Sequence, residues 1–178
     1  MFSDPAQCIE QFDLQSGSRV ADLGAGTGAF SIPAAKAVGE AGKVYAVEIQ
    51  KGLLDRLKNE ARAARAGNVE ALWGDVERVH GTHLSDASVD ACVASNVLFQ
   101  VEDKDGFVTE VKRILRPGGK LLLIDWSDSF SNIGPHKDHV MAEADARALF
   151  EKAGFRFVKQ INAGEHHYGL ILKKVLSR

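Results

Sequence analysis

The sequence predicts an α/β fold: a doubly wound, mostly parallel seven-stranded sheet with one antiparallel strand from a C-terminal hairpin. Three observations predict it. Apolar runs of strand length alternate with amphipathic helical stretches along most of the chain. The first run, Val20-Ala21-Asp22-Leu23, opens directly into Gly24-Ala25-Gly26-Thr27-Gly28, where three glycines alternate as at a strand-to-helix turn. Near the end, two strand-like runs are joined by a short turn at Asn162-Ala163-Gly164, a connection that allows only an antiparallel pair.

The elements follow in order. Ser3 or Asp4 caps a short first helix with Pro5 at its first position. The first strand covers about 19–23, and a helix follows over about 29–38. The 39–42 turn leads to a second strand, 43–48, ending at Glu48. Leu53, Leu54, Leu57 and Ala61 form the apolar stripe of the next helix. A third strand covers 69–73, with an irregular stretch beyond it to Asp86, and a fourth covers 89–94. A helix over 104–115 is stopped by a turn at Pro117-Gly118-Gly119. The fifth strand, 119–126, is apolar on both faces and therefore central. Residues 127–139 read as a polar loop, a length that in a compact domain points to function. A helix over 141–153 ends at Gly154, placed as a left-handed cap, and the hairpin strands are 155–161 and 167–173.

With 178 residues, 45% hydrophobic and 26% charged, the expectation is a single domain, 1–178, with a sizeable core. The net charge of −2 makes no electrostatic case for nucleic acid or membrane binding. No signal peptide and no membrane-length apolar run is present, and the two cysteines form no disulfide framework, which suits a cytoplasmic setting. Cys92 reads as a small core residue, and Cys8 lies in the first helix.

The strand ends carry the chemistry. Asp22 precedes the glycines, and a carboxylate there repels phosphate and prefers an ammonium or hydroxyl. Glu48 closes the second strand about twenty residues on, where a ribose-binding acid sits in nucleotide-binding α/β folds. Gly74-Asp75 closes the third. Three strands each ending in an acid suit a ligand bearing an amine, a ribose and an amino-bearing base, and suit a polyphosphate poorly. The glycines alone do not decide this, because Gly24, Gly26 and Ala29 also fit the dinucleotide fingerprint.

The ordered set of Asp22-Leu23-Gly24-Ala25-Gly26-Thr27-Gly28, Glu48, Gly74-Asp75, Asp90, Ser95-Asn96 and Leu115-Arg116-Pro117-Gly118-Gly119-Lys120 resembles the class I S-adenosylmethionine-dependent methyltransferases. The likeness covers nearly the whole chain. It is nearest to compact members of the type 11-like group, related to the quinone-biosynthesis and arsenite enzymes. The resemblance implies the Rossmann-like methyltransferase fold, S-adenosylmethionine as cofactor and a small-molecule methyl acceptor. It implies that Gly24, Ala25, Gly26 and Gly28 lie against the methionine part, and that Asp22 meets its ammonium directly or through water. Glu48 is expected to hold the ribose hydroxyls, or else is a solvated strand-end acid. Asp75 is expected to accept from the adenine amino group, with the Val76 N–H at a ring nitrogen, or to cap the following turn. Ile49 and Leu53 flank the adenine or are plain core, and Gly74, Ser95 and Asn96 complete the set, Asn96 facing the methyl donor or serving as a turn residue.

Methyl transfer from a sulfonium needs an in-line nucleophile, and a base only where that nucleophile is protonated. Asp125, His136, His139 and His167 are the candidates at the carboxyl edge, each with a plain structural alternative. Of the adjacent His166 and His167, only one is expected to face a pocket, since successive strand residues face opposite ways. His136 and His139, with Asp138 and Glu143 near, match no metal-site signature, so no metal is expected. Arsenite chemistry needs several reactive cysteines, and only Cys8 and Cys92 exist. Phe99, Trp126 and Phe130 line an apolar acceptor pocket or belong to the core. The N-terminal segment, the 127–139 loop or a partner subunit is expected to cover the site, as a monomer or homodimer. An NAD-dependent oxidoreductase and a non-catalytic S-adenosylmethionine-binding module are the alternatives.

Overall fold

The structure is a computed structural model and describes residues 3–129 and 134–176. Helix α1 (Pro5–Phe12) is capped by Asp4, whose carboxylate accepts from the N–H groups of Ala6 and Gln7. Such a cap contributes about 1 kcal/mol. Strand β1 (Arg19–Leu23), helix α2 (Ser31–Val38), strand β2 (Lys43–Glu48), helix α3 (Lys51–Ala63) and strand β3 (Val69–Trp73) follow in strict alternation. Strand β4 (Val89–Ser95), helix α4 (Lys104–Ile114), strand β5 (Leu115–Trp126), helix α5 (Glu143–Lys152) and the hairpin β6 (Phe155–Ile161) and β7 (His167–Lys174) complete the chain. One turn of 3-10 helix covers Lys137–His139.

The sheet order is β3-β2-β1-β4-β5-β7-β6. Strands β1 to β5 pair in parallel, and β7 runs antiparallel to both of its neighbours. The order reverses between β1 and β4, so the open crevice lies at the carboxyl ends of these strands. One face packs under α4 and α5 through Leu121, Leu123, Phe107 and Phe150, and the other under α1 and α2 through Leu122, Ile124, Phe12 and Val38. No helix among the described residues is long and apolar enough to cross a membrane.

Several elements differ from the sequence expectation, among them α5, which starts at Glu143 and not at 141, and the expected 127–139 loop, which holds the 3-10 turn. Strand β5 begins at Leu115, directly after α4, and Pro117-Gly118-Gly119 does not leave the sheet. Between the register pairs Val89↔Leu115 and Ala91↔Lys120, β5 carries several extra residues as a bulge. Gly118 takes φ +77° there, and the Arg116 guanidinium pairs with Asp90 at 2.9 Å. Asp90 also accepts from the Arg19 N–H at 2.7 Å, which ties β1 to the bulge. Helix α2 starts two residues later than expected, because Gly28 takes φ +93° and the turn is not yet helical.

Candidate functional site

The glycine turn works by shape more than by donated hydrogen bonds. The N–H groups of Gly24 and Ala25 donate to the Val47 carbonyl, that of Gly26 to Glu48, and that of Gly28 to the Ala25 carbonyl. A Cβ at Gly24 would lie 2.5 Å from Val97 Cγ2, so no larger residue fits there. At Gly26, with φ +57°, a Cβ would meet nothing, which leaves open space against the crevice.

That crevice is a cleft of about 240 Å³ at the carboxyl ends of β1, β2 and β3. It brings together Gly24, Gly26, Glu48, Ile49, Leu53, Gly74, Asp75 and Val76, all named from sequence. Glu48 is 5% exposed and accepts from the Gly26 N–H at 2.9 Å and the Gln50 N–H at 2.8 Å, one on each carboxylate oxygen. Each oxygen keeps a further lone pair for a ligand hydroxyl. A merely solvated strand-end acid is thereby ruled out at this position. Asp75 accepts from the Glu77 N–H at 3.0 Å and pairs with Arg78 at 3.1 Å, so it does cap the turn while lining the cleft. The exposed Ile49 and half-buried Leu53 form the apolar wall.

Sequence reasoning missed Glu77, Gln50, Val97, Gln100 and Val101, which also line the cleft. Glu77 accepts from the N–H groups of Glu102 and Asp103 and so fixes the wall formed by the segment after β4. Its place two residues beyond Asp75 was the only sequence signal. The cleft therefore holds three carboxylates and, among the described residues that line it, no lysine or arginine. Roomier hollows lie elsewhere, among them one of about 470 Å³ beside α3 and one of about 520 Å³ beside His139. Neither gathers the strand-end acids.

The other residues named from sequence lie around the cleft. Asp22 sits beneath the glycines, 3% exposed, and accepts from the Ser31 hydroxyl at 2.5 Å. Burial raises its carboxyl to about 6, the Ser31 hydrogen bond opposes the rise, and Glu48 adds to it. Ala25 is buried, and Gly28 lies against Leu57. Ser95 ends β4 and Asn96 follows it with φ +56°, and both Ser95 Oγ and Asn96 Oδ1 are buried without a hydrogen-bond partner.

Of the candidate bases, Asp125 is buried and accepts from the N–H groups of Phe99 and Trp126. Burial lifts its carboxyl to about 6 against those hydrogen bonds. His136 is exposed and pairs with Asp138 at 3.1 Å. His139 lines the 520 Å³ hollow with Phe99 and Met141, a space that shares Gln100 and Val101 with the cleft. His166 turns to Asp128 at 3.0 Å, while His167 is buried against Trp126 with ring centroids 4.3 Å apart. Phe130 lies outside the described residues. Cys8 and Cys92 are both buried, and burial pushes both thiols up, which removes them as a reactive pair. Among the described residues no three metal-binding side chains gather.

Comparison with known proteins gives a consistent result. A methyltransferase domain family matches residues 14–169. The ubiquinone/menaquinone biosynthesis C-methyltransferase of Haemophilus ducreyi is 33% identical over 123 residues, covering 67% of this chain and 45% of the relative. The chain thus spans less than half the length of that curated relative. A solved S-adenosylmethionine-dependent methyltransferase from Aquifex aeolicus superposes with a TM-score of 0.88 at 28% identity, covering 98% of this chain and 91% of the other. An arsenic(III) S-adenosylmethionine methyltransferase from Chlamydomonas reinhardtii shares the fold, with a TM-score of 0.72 at 24% identity over 90% of this chain and 64% of the other.

Proposed function

The chain belongs to the methyltransferase domain family, and from that premise we propose that it transfers a methyl group from S-adenosylmethionine to a small-molecule acceptor. The observation that carries this reading is the cleft lined by Glu48, Asp75 and Glu77 with no cationic side chain among its described lining residues. Such a lining attracts a cationic ligand and repels phosphate. The internal use of the Gly24, Ala25, Gly26 and Gly28 N–H groups further disfavours a dinucleotide, whose pyrophosphate needs donors at this turn.

S-adenosylmethionine supplies an activated methyl on a sulfonium. The residues fit such a ligand. Glu48 holds the ribose hydroxyls with its remaining lone pairs, and Asp75 with the Val76 N–H reads the adenine edge. Ile49 and Leu53 pack on the adenine face, and Gly74 lets the base approach the backbone. Gly24, Ala25, Gly26 and Gly28 make room for the methionine moiety, and Asp22 balances its ammonium. Ser95 and Asn96 face the reacting end, where their unpartnered oxygens suit a polar ligand. The protein's work is to hold two reactants in line and exclude water, which in ideal cases contributes ~7–11 kcal/mol. The quinone-type relatives favour a small ring-bearing acceptor.

Incubation with methyl-labelled S-adenosylmethionine and fractionated cell extract tests the proposal. We expect label in a small-molecule fraction. Label confined to protein or RNA overturns the acceptor class, and the absence of cofactor binding overturns the reading itself.

A further inference from the structure

His167 has an environment that the fold alone does not account for. It is 8% exposed, and neither ring nitrogen has a hydrogen-bond partner. Leaving buried polar atoms unpaired costs about 1–3 kcal/mol per group, so a native structure that retains them usually reserves them for a ligand or a water. Strand register tells what lies near. Cross-strand partners and alternate residues of a strand share a sheet face. Ser95 on β4 pairs with Ile124, and Trp126 on β5 pairs with His167 on β7. Val93, Ile124 and Ile171 pack in the core beneath α1 and α2. Ser95, Trp126 and His167 therefore all project to that face, Ser95 and Trp126 at the carboxyl ends of β4 and β5 and His167 at the amino end of the antiparallel β7. Asp22, the partner of Val93 on β1, projects to it as well. Asp125 and Tyr168 belong to the opposite face, with Leu123 and Leu170.

Ser95 Oγ and the two nitrogens of His167 are thus unpartnered polar atoms on one face, two strand spacings across and two residues along the strands, about 12 Å between backbones. Trp126, on the intervening strand and level with His167, forms an aromatic wall in contact with the imidazole. We propose that His167 is the proton acceptor of the methyl-transfer site and that the acceptor is a ring or enol carrying an acidic O–H, bound between the end of β4 and His167.

This inference rests on the methyltransferase reading and deepens it. In the step, a lone pair of the acceptor forms the new bond to the methyl carbon. The electron pair of the broken S–C bond stays on sulfur, and the O–H proton passes to a ring nitrogen of His167. Loss of that proton supplies electron density on the oxygen or, by conjugation, on a ring carbon, whose own C–H proton then moves to the oxygen and restores the O–H, so the same base serves O- or C-methylation. A thiol acceptor ionises more readily, and a neutral amine needs no base before attack. The imidazole is suited to the task because burial lowers its basicity and keeps it neutral and able to accept near pH 7. The neighbouring His166 pushes in the same direction and Asp128, from the segment after β5, opposes it. Across β5, Trp126 presents no charge to it.

The test reads His167 directly. With histidine labelled at Cε1, its NMR titration is followed in the apo-protein, with S-adenosylhomocysteine and with S-adenosylmethionine, the His167→Gln variant giving the assignment. The two ligands differ by a methyl and a positive charge at sulfur. If His167 faces the reacting end, the cationic ligand lowers its pKa relative to the neutral one by about half a unit or more, while His80 stays unchanged. Equal values in both complexes, with calorimetry showing that both ligands bind, overturn the placement of His167 and leave the cofactor reading intact. Failure of both ligands to bind overturns the cofactor reading and this inference with it. The acceptor class is read separately, with catechol, a 1,3-diketone, a small thiol and a small amine as probes for labelled methyl. Transfer to catechol or the diketone is expected, with the acid limb of the pH–rate profile lost in His167→Gln. Transfer to the thiol or amine alone, or to none of the four, overturns the acceptor class.

Discussion

Asp22 and Glu48 are both buried acids on neighbouring strands, yet they are held differently. Glu48 is satisfied by two backbone N–H groups from different segments, whereas Asp22 leans on Ser31 alone and its carboxyl is raised to about 6. A carboxyl whose native pKa lies above its usual 3.8 binds protons more tightly when folded. Its contribution to stability is full below about pH 4 and is lost as pH rises through about 6. The loss is on the order of 2–3 kcal/mol. Asp22→Asn keeps the shape and the Ser31 hydrogen bond but removes the charge. Urea unfolding of the apo-variant is expected to show higher stability than the parent at pH 7 and little difference at pH 4. The same variant should bind S-adenosylmethionine more weakly, because its ammonium loses a counter-charge. A variant no more stable at pH 7 would mean that the native carboxylate is compensated by a group outside this account. The positions of these acids were legible as strand-end carboxylates. Their partners were not, because the Ser31 and Gly26 contacts depend on how the glycine turn folds back over β2.

At the scale of elements, the segment between β3 and β4 has no regular structure, yet it forms one wall of the cleft. It is pinned by Glu110 of α4, fully buried, which accepts from the Thr82 hydroxyl at 2.5 Å and the His80 N–H at 2.8 Å. Arg113 closes the arrangement with two donors at 2.7 and 2.8 Å, and also holds Asp86 and the Leu84 carbonyl. These hydrogen bonds overcome the effect of burial and hold the Glu110 carboxyl down at about 2. The sign is opposite to that of Asp22: the stabilisation is present above the ordinary 4.5 and fades as pH falls toward 2. Glu110→Ala leaves Arg113 without its buried partner and is expected to cost about 3–5 kcal/mol at pH 7. The gap between parent and variant, read by urea unfolding, should narrow steadily between pH 4.5 and 2.5. A pH-independent gap would assign the loss to packing. Nothing in the sequence marked Glu110, one acid among several on a helix with a solvated face. The Pro117-Gly118-Gly119 turn shows the converse limit. Its residues do make the chain deviate, as their chemistry requires, but the β-pairing on either side resumes across the deviation and turns a loop into a bulge.

For the whole molecule, the alternation of strands and helices and the short final hairpin made a mostly parallel seven-stranded sheet with one antiparallel strand legible, whereas the strand order is seen only in the structure. That order brings the ends of β1, β2 and β3 together as the cleft, and the ends of β4, β5 and β7 together as the neighbouring face that holds Ser95, Trp126 and His167. The proposed reactants divide in the same way, a cationic nucleoside on the acidic side and an acceptor on the aromatic side. What the pattern did not reveal is which histidine lies inward, because His166 and His167 are adjacent and only the pairing of Trp126 with His167 fixes the face.

The central claim is that the acid-lined cleft binds S-adenosylmethionine through Glu48. Calorimetric titration of the parent and of Glu48→Ala, with S-adenosylmethionine and with NAD, tests it most directly. The account predicts binding of S-adenosylmethionine but not NAD to the parent, and an affinity loss of roughly tenfold to a hundredfold in the variant, corresponding to one charge-assisted hydrogen bond of about 1.5–3 kcal/mol. NAD binding without S-adenosylmethionine binding, or equal S-adenosylmethionine affinity in parent and variant, would contradict it.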